Sequence, residues 1–530
     1  MKSKFSIKNN FVLATIVALV ISFIVFYIYL PPINLYSIDF YMFLTVVVIV
    51  FLLSYYVFFT RNKKDVFKFS KIGIGILAIG WGIFLIMNLF SLVPFHARRY
   101  ANIIKKEDGI FSEDVEQVDF DRIPVVDRDT AVKLGSRKMG EIEDLVSQYD
   151  IDQTYSQATV NGKPMRNTPL IYSDIIKWLK NSKNGIPYYI SVDMVEQDVE
   201  LKKLEKPIKY SFSDKFSRDI KRHMRFKYPT ALIDEINFET DDEGHPFWVA
   251  STVKPTVGLI GGMDANSVIV VDAVTGDTNR YKVGDVPEWI DRVYSADRIV
   301  EQLTWNGRLQ GGFINQYFGQ RGVTEPTDGY NYLSLGNDIY LYTGITSVLA
   351  DESNIGFVLV NMRTKETKFF PVSSADEKSA MASAEGAVQE KGYNATFPIL
   401  INLYNRPTYF LSLKDNAGLI KTFAFIDAQN YQNVATGSTI EQALAIYDST
   451  NIDREIDESA LEDMEITVRE IYPVTIEGNT SYFIRADGSE LVFVAPIKAS
   501  TKLPFVKIGD KLNVTGENLG TQFNINSIKD

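Results

Sequence analysis

The sequence predicts a membrane-anchored α+β protein: three N-terminal transmembrane helices, tandem units of antiparallel sheet plus helix, and a small C-terminal β-barrel. Three observations predict it. Residues 11–30, 40–59 and 72–95 are apolar runs without one charged residue. The stretch VIVVDAVTGDTNRYKV (268–283) reads as strand, tight turn, strand, and returns as FVLVNMRTKETKFFPV (357–372) and more faintly as FAFIDAQNYQNVATG (423–437). Residues 466–530 hold five strand-like runs, 466–476, 480–485, 490–496, 511–516 and 522–528.

Each apolar run meets the roughly 20 residues needed to cross a bilayer core, which makes residues 1–97 a three-helix anchor. A cleaved signal peptide does not explain the first run, since no small-residue cleavage site precedes Pro31 and two more runs follow. Lys2, Lys4 and Lys8 precede the first run, and Arg61, Lys63, Lys64, Lys68 and Lys71 follow the second, whereas 31–39 has no Lys or Arg. Positive charge stays on the cytoplasmic side. The expectation is therefore a multi-pass plasma-membrane protein with a cytoplasmic N-terminus and everything after residue 95 extracytoplasmic. Gly75, Ala78 and Gly82 are spaced three and four apart, so they stack on one helix face and permit close approach. Packing against the first two spans of the same chain is the favoured reading of that face, ahead of a contact with another protein.

The whole chain has 530 residues, a net charge of −11 and a pI near 5.1. Phosphate binding needs clustered Lys and Arg, so a nucleic-acid partner is not expected. There are no cysteines, which excludes disulfides, thiolate metal sites and Cys nucleophiles and is compatible with export.

Extending the repeated hairpin backwards gives a unit. Helix-like 214–227, 295–303 and 374–392 each precede a first hairpin, turning at 241–244, 336–338 and 405–407, and then the repeated second hairpin. Alternating β-branched and aromatic residues bounded by Asn, Asp, Gly and Pro mark the strands. Ser295 or Ser374 can cap the helix that follows it. A helix laid across a four-stranded sheet covers its apolar face. The units so defined are 211–286, 287–373 and 374–447, with 98–210 a juxtamembrane region and candidate divergent unit. That region has a helix over 130–148, a turn at Asn161–Gly162 and the aromatic strand 187–195.

This order, with VDAVTGD at 271–277, resembles the PepSY-type domain of bacterial envelope proteins. The three spans followed by PVVDRDTAVKLGSRKMGE (124–141) and DGYNYL (328–333) resemble a group of Gram-positive membrane proteins without an assigned reaction. The resemblance implies an envelope location, and PepSY domains are associated with inhibiting or modulating secreted proteases and other enzymes.

Residues 448–465 are densely acidic around a single Arg454 and read as a solvated helical linker. The five strands of 466–530, with IGDKLNVTG at 508–516, resemble an OB-fold or SH3-like barrel. Its basic and acidic residues balance, which favours a binding or capping module over a nucleic-acid groove.

Chemistry is sparse. The three histidines, His96, His223 and His245, have no metal-ligand spacing, and no metal is expected. No G-x-S-x-G elbow, P-loop or dinucleotide fingerprint occurs, so no cofactor is expected. Asp127 and Asp129 flank Arg128, where Asp129 or Thr130 can cap the next helix. The segments after the second strands carry Asp264 and Asn266, then Asp351, Glu352 and Asn354, then Asp415 and Asn416. Such oxygens suit calcium, but no calcium-loop spacing is met and the same residues make tight turns. They are the candidate binding residues. Aromatics recur at Tyr188, Tyr189, Phe247, Trp248, Tyr340, Tyr342, Tyr409 and Phe410, where a sheet core accounts for them better than a ligand platform. Trp248, Tyr340 and Phe410 are expected to be equivalent, with the helix covering the Trp248 face alone.

The leading functional expectation is a non-enzymatic envelope protein that binds or modulates another envelope protein or peptide. A carboxylate-dependent wall- or peptide-processing enzyme and an accessory subunit of a membrane complex stay open, as does a homo-oligomer.

Overall fold

The computed structural model describes residues 2–58, 63–349, 353–450, 461–476, 479–489, 491–518 and 522–529. The chain divides into two compact units, one up to Asp376 and one from Glu377 onward.

The apolar runs form helices α1 (Lys2–Tyr29), α2 (Ile38–Phe58) and α3 (Lys63–Leu89); their segments Phe11–Tyr29, Ile38–Phe58 and Phe67–Leu89 are long and apolar enough to cross a membrane, with mean hydropathies of 2.9, 2.3 and 2.2. Aromatic contacts hold α2 to α3: the Tyr41 ring lies 4.8 Å from Phe84, and the Trp81 indole donates to Thr45 Oγ1 at 3.0 Å. Gly73 and Gly80 are the small residues that face α2, since a Cβ there would lie 3.1 Å from Leu52 and 3.4 Å from Leu44. Gly75 and Gly82 would meet nothing within 4 Å, and Ala78 is exposed. The small face therefore points away from the first two spans, against the expectation of packing within the chain. The 3.6-residue period fixes which residues share a face but not which way that face turns.

After α4 (Val93–Ala101), α5 (Arg128–Gly140) is capped by Asp127, whose Oδ1 accepts from Thr130 N at 2.9 Å. The cap is thus two positions earlier than the expected Asp129. A first sheet follows, with β1 (Tyr149–Ile151), β2 (Ser156–Val160), β3 (Lys163–Tyr172), β4 (Ile186–Asp193) and β5 (Val199–Ile208). Helix α6 (Ile175–Asn181) bridges β3 and β4. Helix α7 (Ile220–Lys227) precedes the second sheet, a meander of β6 (Ile233–Thr240), β7 (Pro246–Val257), β8 (Gly261–Asp272) and β9 (Thr278–Lys282). Helix α8 (Ala296–Leu309) and the short α9 (Asn315–Phe318) lead to the third sheet, built on β10 (Asn331–Leu335), β11 (Asp338–Ser347), β12 (Ser353–Asn361) and β13 (Thr367–Phe370). Ser295 does not cap α8 with its side chain; its Oγ donates to Asp234 Oδ2 at 2.5 Å instead. Ser374, expected as a cap, belongs to a short strand paired with β12.

In the second compact unit, α10 (Glu377–Ala387) precedes a sheet of β14 (Ile399–Leu403), β15 (Arg406–Lys414), β16 (Ile420–Asp427) and β17 (Val434–Gly437), covered by α11 (Ile440–Thr450). Most of the expected acidic linker, 451–460, lies outside the described residues, and its last residues belong to a strand. That strand, β18 (Glu462–Ile476), opens a closed barrel with β19 (Asn479–Ala486), β20 (Val492–Pro496), β21 (Lys511–Asn518) and β22 (Gln522–Lys529). The first part of β18 pairs with β21 and the second with β19, across a bulge at Val468–Glu470. Such a bulge bends one strand into two directions. Phe493, Phe523, Ile484 and Leu503 fill the interior.

One side chain explains why the hairpin recurs. At the end of the third strand of each meander stands Asp193, Asp272, Asn361 or Asp427. In every case its Oδ1 accepts from the backbone N–H groups two and three residues on, at 2.7–3.0 Å. This turn lets a short side chain mimic a backbone acceptor. The same bonds at Asp193 give the first sheet the repeated turn, which its sequence (DMVEQD) does not advertise.

Register corrects the expected equivalence of the aromatics. Asp272 pairs with Phe247, Asn361 with Tyr340 and Asp427 with Thr408. Trp248 is therefore equivalent to Leu341 and Tyr409, and not to Tyr340 or Phe410. Both faces of the second sheet are covered. Trp248 meets Phe212 at 4.7 Å and Phe238 at 5.3 Å, and its Nε1 donates to Tyr210 O at 2.7 Å. On the other face, Val249, Val268 and Val270 share one core with Ile299 and Leu303 of α8 and with Leu341, Val358 and Val360 of the third sheet. The helix expected to serve one sheet thus closes two.

Candidate functional site

The expected binding residues do not converge. Asp264 and Asn266 lie within β8, because the β7–β8 hairpin turns at 258–260, between the paired Val257 and Gly261. Asp264 is committed to the core edge: its Oδ2 pairs with Lys365 Nζ at 2.6 Å and its Oδ1 accepts from Gln302 at 3.0 Å. Asn266 Oδ1 accepts from Thr252 Oγ1 at 3.1 Å. Asn354 is buried in β12, and Asp351 and Glu352 lie outside the described residues. Asp415 makes the turn before β16, accepting from Leu419 N at 3.0 Å, and that bond draws its carboxyl below the usual range. Asn416 is exposed beside it. Only Asp415 makes the expected turn bond; Asp264 and Asn266 are instead held by side chains of other strands and elements.

The histidines are also dispersed. The His96 ring contacts Phe90 O at 2.9 Å, the His223 ring contacts Gly276 O at 2.8 Å, and His245 Nε2 lies 3.1 Å from Asp272 Oδ2. Among the described residues no group of three His, Cys, Asp or Glu side chains is arranged to hold a metal.

Sequence reasoning missed a buried charged cluster where the first three sheets meet. Glu239 on β6 is 0 % exposed and Asp291 is 1 % exposed. Asp291 Oδ2 accepts from Thr159 N on β2 at 2.6 Å, and Glu239 Oε2 accepts from Asp291 N at 3.2 Å. Burial pushes the Glu239 carboxyl well above the usual range, with Asp291 adding to the shift, and burial lifts Asp291 to about 7. The Arg292 guanidinium lies 4.3 Å over the Tyr332 ring of β10. Arg166 on β3 donates to Val126 O at 3.2 Å, and burial, with Arg292 nearby, lowers it to about 10. A carboxyl held neutral can donate a hydrogen bond and sit in an apolar setting at low cost. Neither acid is open to solvent; the pair joins the first and second sheets, and the neighbouring Arg292 reaches Tyr332 of the third. The signal in the sequence is small: a glutamate in the strand INFET and the charged pair in WIDRVY.

Two clefts open on equivalent faces. On the third sheet, Tyr340, Leu359, Lys368 and Phe370 line a cavity of about 230 Å³, on the face opposite α8. Phe111 covers one end of this face, 5.2 Å from Phe357, and Asp114 pairs with Lys368 at 2.6 Å. On the first sheet, Met165, Tyr189, Asp193 and Lys202 line a cavity of about 330 Å³, walled by the β6–β7 turn at Asp242–Gly244. Met165 pairs with Asp193 as Tyr340 pairs with Asn361, so the two clefts occupy the same face of the repeat. In the second sheet the equivalent Phe247 is covered by Trp289 at 4.7 Å. A half-open sheet face with aromatic, aliphatic and charged side chains offers stacking, apolar contact and ion pairing.

No protein-family model matches this chain and no curated protein matches it.

Proposed function

We propose that this chain is a membrane-anchored cell-envelope protein whose α+β units bind or modulate another envelope protein or peptide without catalysing a reaction. In this reading the N-terminus is cytoplasmic and residues after 95 are extracytoplasmic, as the Lys and Arg of 1–10 and 60–71 favour. The units are PepSY-like, and the C-terminal OB- or SH3-like barrel is a further binding module. The observation that carries the proposal is the recurrence of one open sheet face as a cleft on both the first and the third sheet. An open groove suits an extended segment of a partner. A carboxylate enzyme finds less support, because the two acids with the most displaced titration are closed to any substrate.

The test is photo-crosslinking in intact cells. A benzophenone side chain at Tyr340 should trap a discrete partner, and one at exposed Tyr472 on the barrel surface should give a different band or none. A cysteine at exposed Asn337 should react with an impermeant maleimide on intact cells. No adduct from Tyr340, or labelling only after lysis, contradicts the proposal.

A further inference from the structure

We infer that residues 313–318, with Leu259, Phe226 and Phe95, form an interfacial patch that enters the headgroup–acyl boundary of the bilayer crossed by the three spans. The patch is a second attachment, separate from the spans, and it fixes the second sheet and α8 upon the lipid surface.

The level of the membrane surface is set by the end of α3. Ser91, two residues beyond Leu89, accepts with its Oγ from Leu259 N and from Ile260 N, both at 2.9 Å. Tyr100 of α4 donates to Ser91 O at 2.7 Å. Gly258 carries φ +59, and any Cβ there would strike the backbone of Phe90 and Ser91. The tip of the β7–β8 hairpin is thus seated on the exit of the third span, and Leu259 is 47 % exposed there. A second contact holds the exit of α1. Arg222 and Arg225 of α7 donate to Tyr27 O at 3.2 Å and Leu30 O at 3.1 Å, and the Phe226 ring lies 5.6 Å from Phe26.

Helix α8 runs beside β8 toward the same level. Gln302 donates to Met263 O at 3.2 Å, then Trp305 meets Tyr100 at 4.8 Å, and Leu309 shares a cluster with Val257, Ala97 and Ala101. Seven residues of helix cover about 10 Å, and four residues of strand cover about 13 Å. The end of α8 therefore reaches the hairpin tip, and the chain beyond it lies at or past the exit of α3. Phe313 packs into that cluster. The next turn presents Ile314, Tyr317 and Phe318, which are 71 %, 63 % and 87 % exposed, and Phe95 on α4 is 69 % exposed. Aromatic and aliphatic side chains at this depth favour the membrane interface. Arg98, Arg99 and Arg321 are exposed near them, where lipid phosphates would meet cations. Continuity with the spans selects lipid as the occupant, and the patch serves whichever side of the membrane the body occupies.

The full chain has no cysteine, so single cysteines at Phe318, Tyr317 and Glu243 can each carry an environment-sensitive fluorophore. Glu243 lies in the turn at the opposite end of β7 from the hairpin tip, about 36 Å along the strand. The labelled chain is placed, one copy per disc, in nanodiscs of phosphatidylcholine, with and without phosphatidylglycerol, with the lipid brominated near the headgroup end of its chains. The inference predicts blue-shifted emission and loss of fluorescence to bromolipid at 317 and 318 in both compositions, with iodide quenching confined to 243. Equal iodide quenching at all three positions overturns it. So does protection at 318 from both quenchers, which a covering protein chain would produce. Quenching only in the anionic discs would replace insertion by charge attraction and also overturn it.

Discussion

The second and third sheets share a strand order and a helix, yet one is closed on both faces and the other on one. Phe247 of the second sheet lies under Trp289, whereas its equivalent Tyr340 looks onto a cleft. Trp248 and its equivalent Leu341 are both fully buried. The difference teaches that the repeat conserves a covered face and leaves the other to context: the connection to α8 covers it on the second sheet, and the strap at Phe111–Asp114 covers it only in part on the third. Equivalent positions are therefore covered in one sheet and open in the other.

The shared core gives the largest expected effect. Leu303→Ala should cost about 2–5 kcal/mol, the usual range for a buried leucine. Hydrogen exchange should rise in β8 and β12 together, and leave the barrel, in the other compact unit, unchanged. Exchange rising in only one of the two sheets would mean that they do not share α8 energetically.

Asp291→Asn sharpens the comparison through pH. The carboxyl is lifted to about 7 in the fold, so the native state holds a proton that the unfolded chain has released. Stability is then full below the unfolded carboxyl pKa and falls as pH rises toward about 7, by at most about 1.4 kcal/mol per pH unit. Thermal melts of the parent chain should show that decline, and the Asn variant, which keeps an oxygen for Thr159 N, should show a shallower one, the remainder coming from the buried Glu239. Parallel profiles for the two proteins would remove Asp291 as the source.

A smaller effect separates two glycines. Gly258→Ala should destabilise by about 1–3 kcal/mol, because φ is +59 and the Cβ meets the Phe90 backbone. Gly75→Ala meets no atom and should leave stability unchanged or raise it by up to about 1 kcal/mol, the ordinary gain of alanine in a helix. A loss at Gly75 seen only in concentrated samples would reveal a contact between copies on that face.

Much of the architecture was legible because its causes are local. Charge-free runs of bilayer length, turn residues between alternating strands, and the spacing of the barrel strands all depend on neighbours in sequence. What covers a sheet was not legible. Period-two alternation identifies two faces, but Trp248 and Val249 are both fully buried, so alternation has nothing to report there. Register differs for a related reason. Place within the second strand matches Trp248 with Tyr340 and Phe410, whereas the alignment is set by the Asx turns at Asp272, Asn361 and Asp427. The candidate residues Asp264 and Asn266 follow two glycines that read as a turn, whereas the turn sits three residues earlier, at 258–260. Glu239 and Asp291 are not marked in the sequence because what buries them is distant in it, as Thr159 is from Asp291.

The central claim is that equivalent strands are structural in the second sheet and open in the third, and one pair of variants tests it most directly. The equivalent Phe247→Ala and Tyr340→Ala are compared in the purified full chain by denaturant unfolding, followed by hydrogen exchange to assign the loss to a sheet. The account predicts a cost of about 1.5–3 kcal/mol for Phe247→Ala, the range for a covered aromatic side chain, and no more than about 1 kcal/mol for Tyr340→Ala, with the second sheet loosened by the first variant. Equal losses, or a larger one at Tyr340, would contradict it.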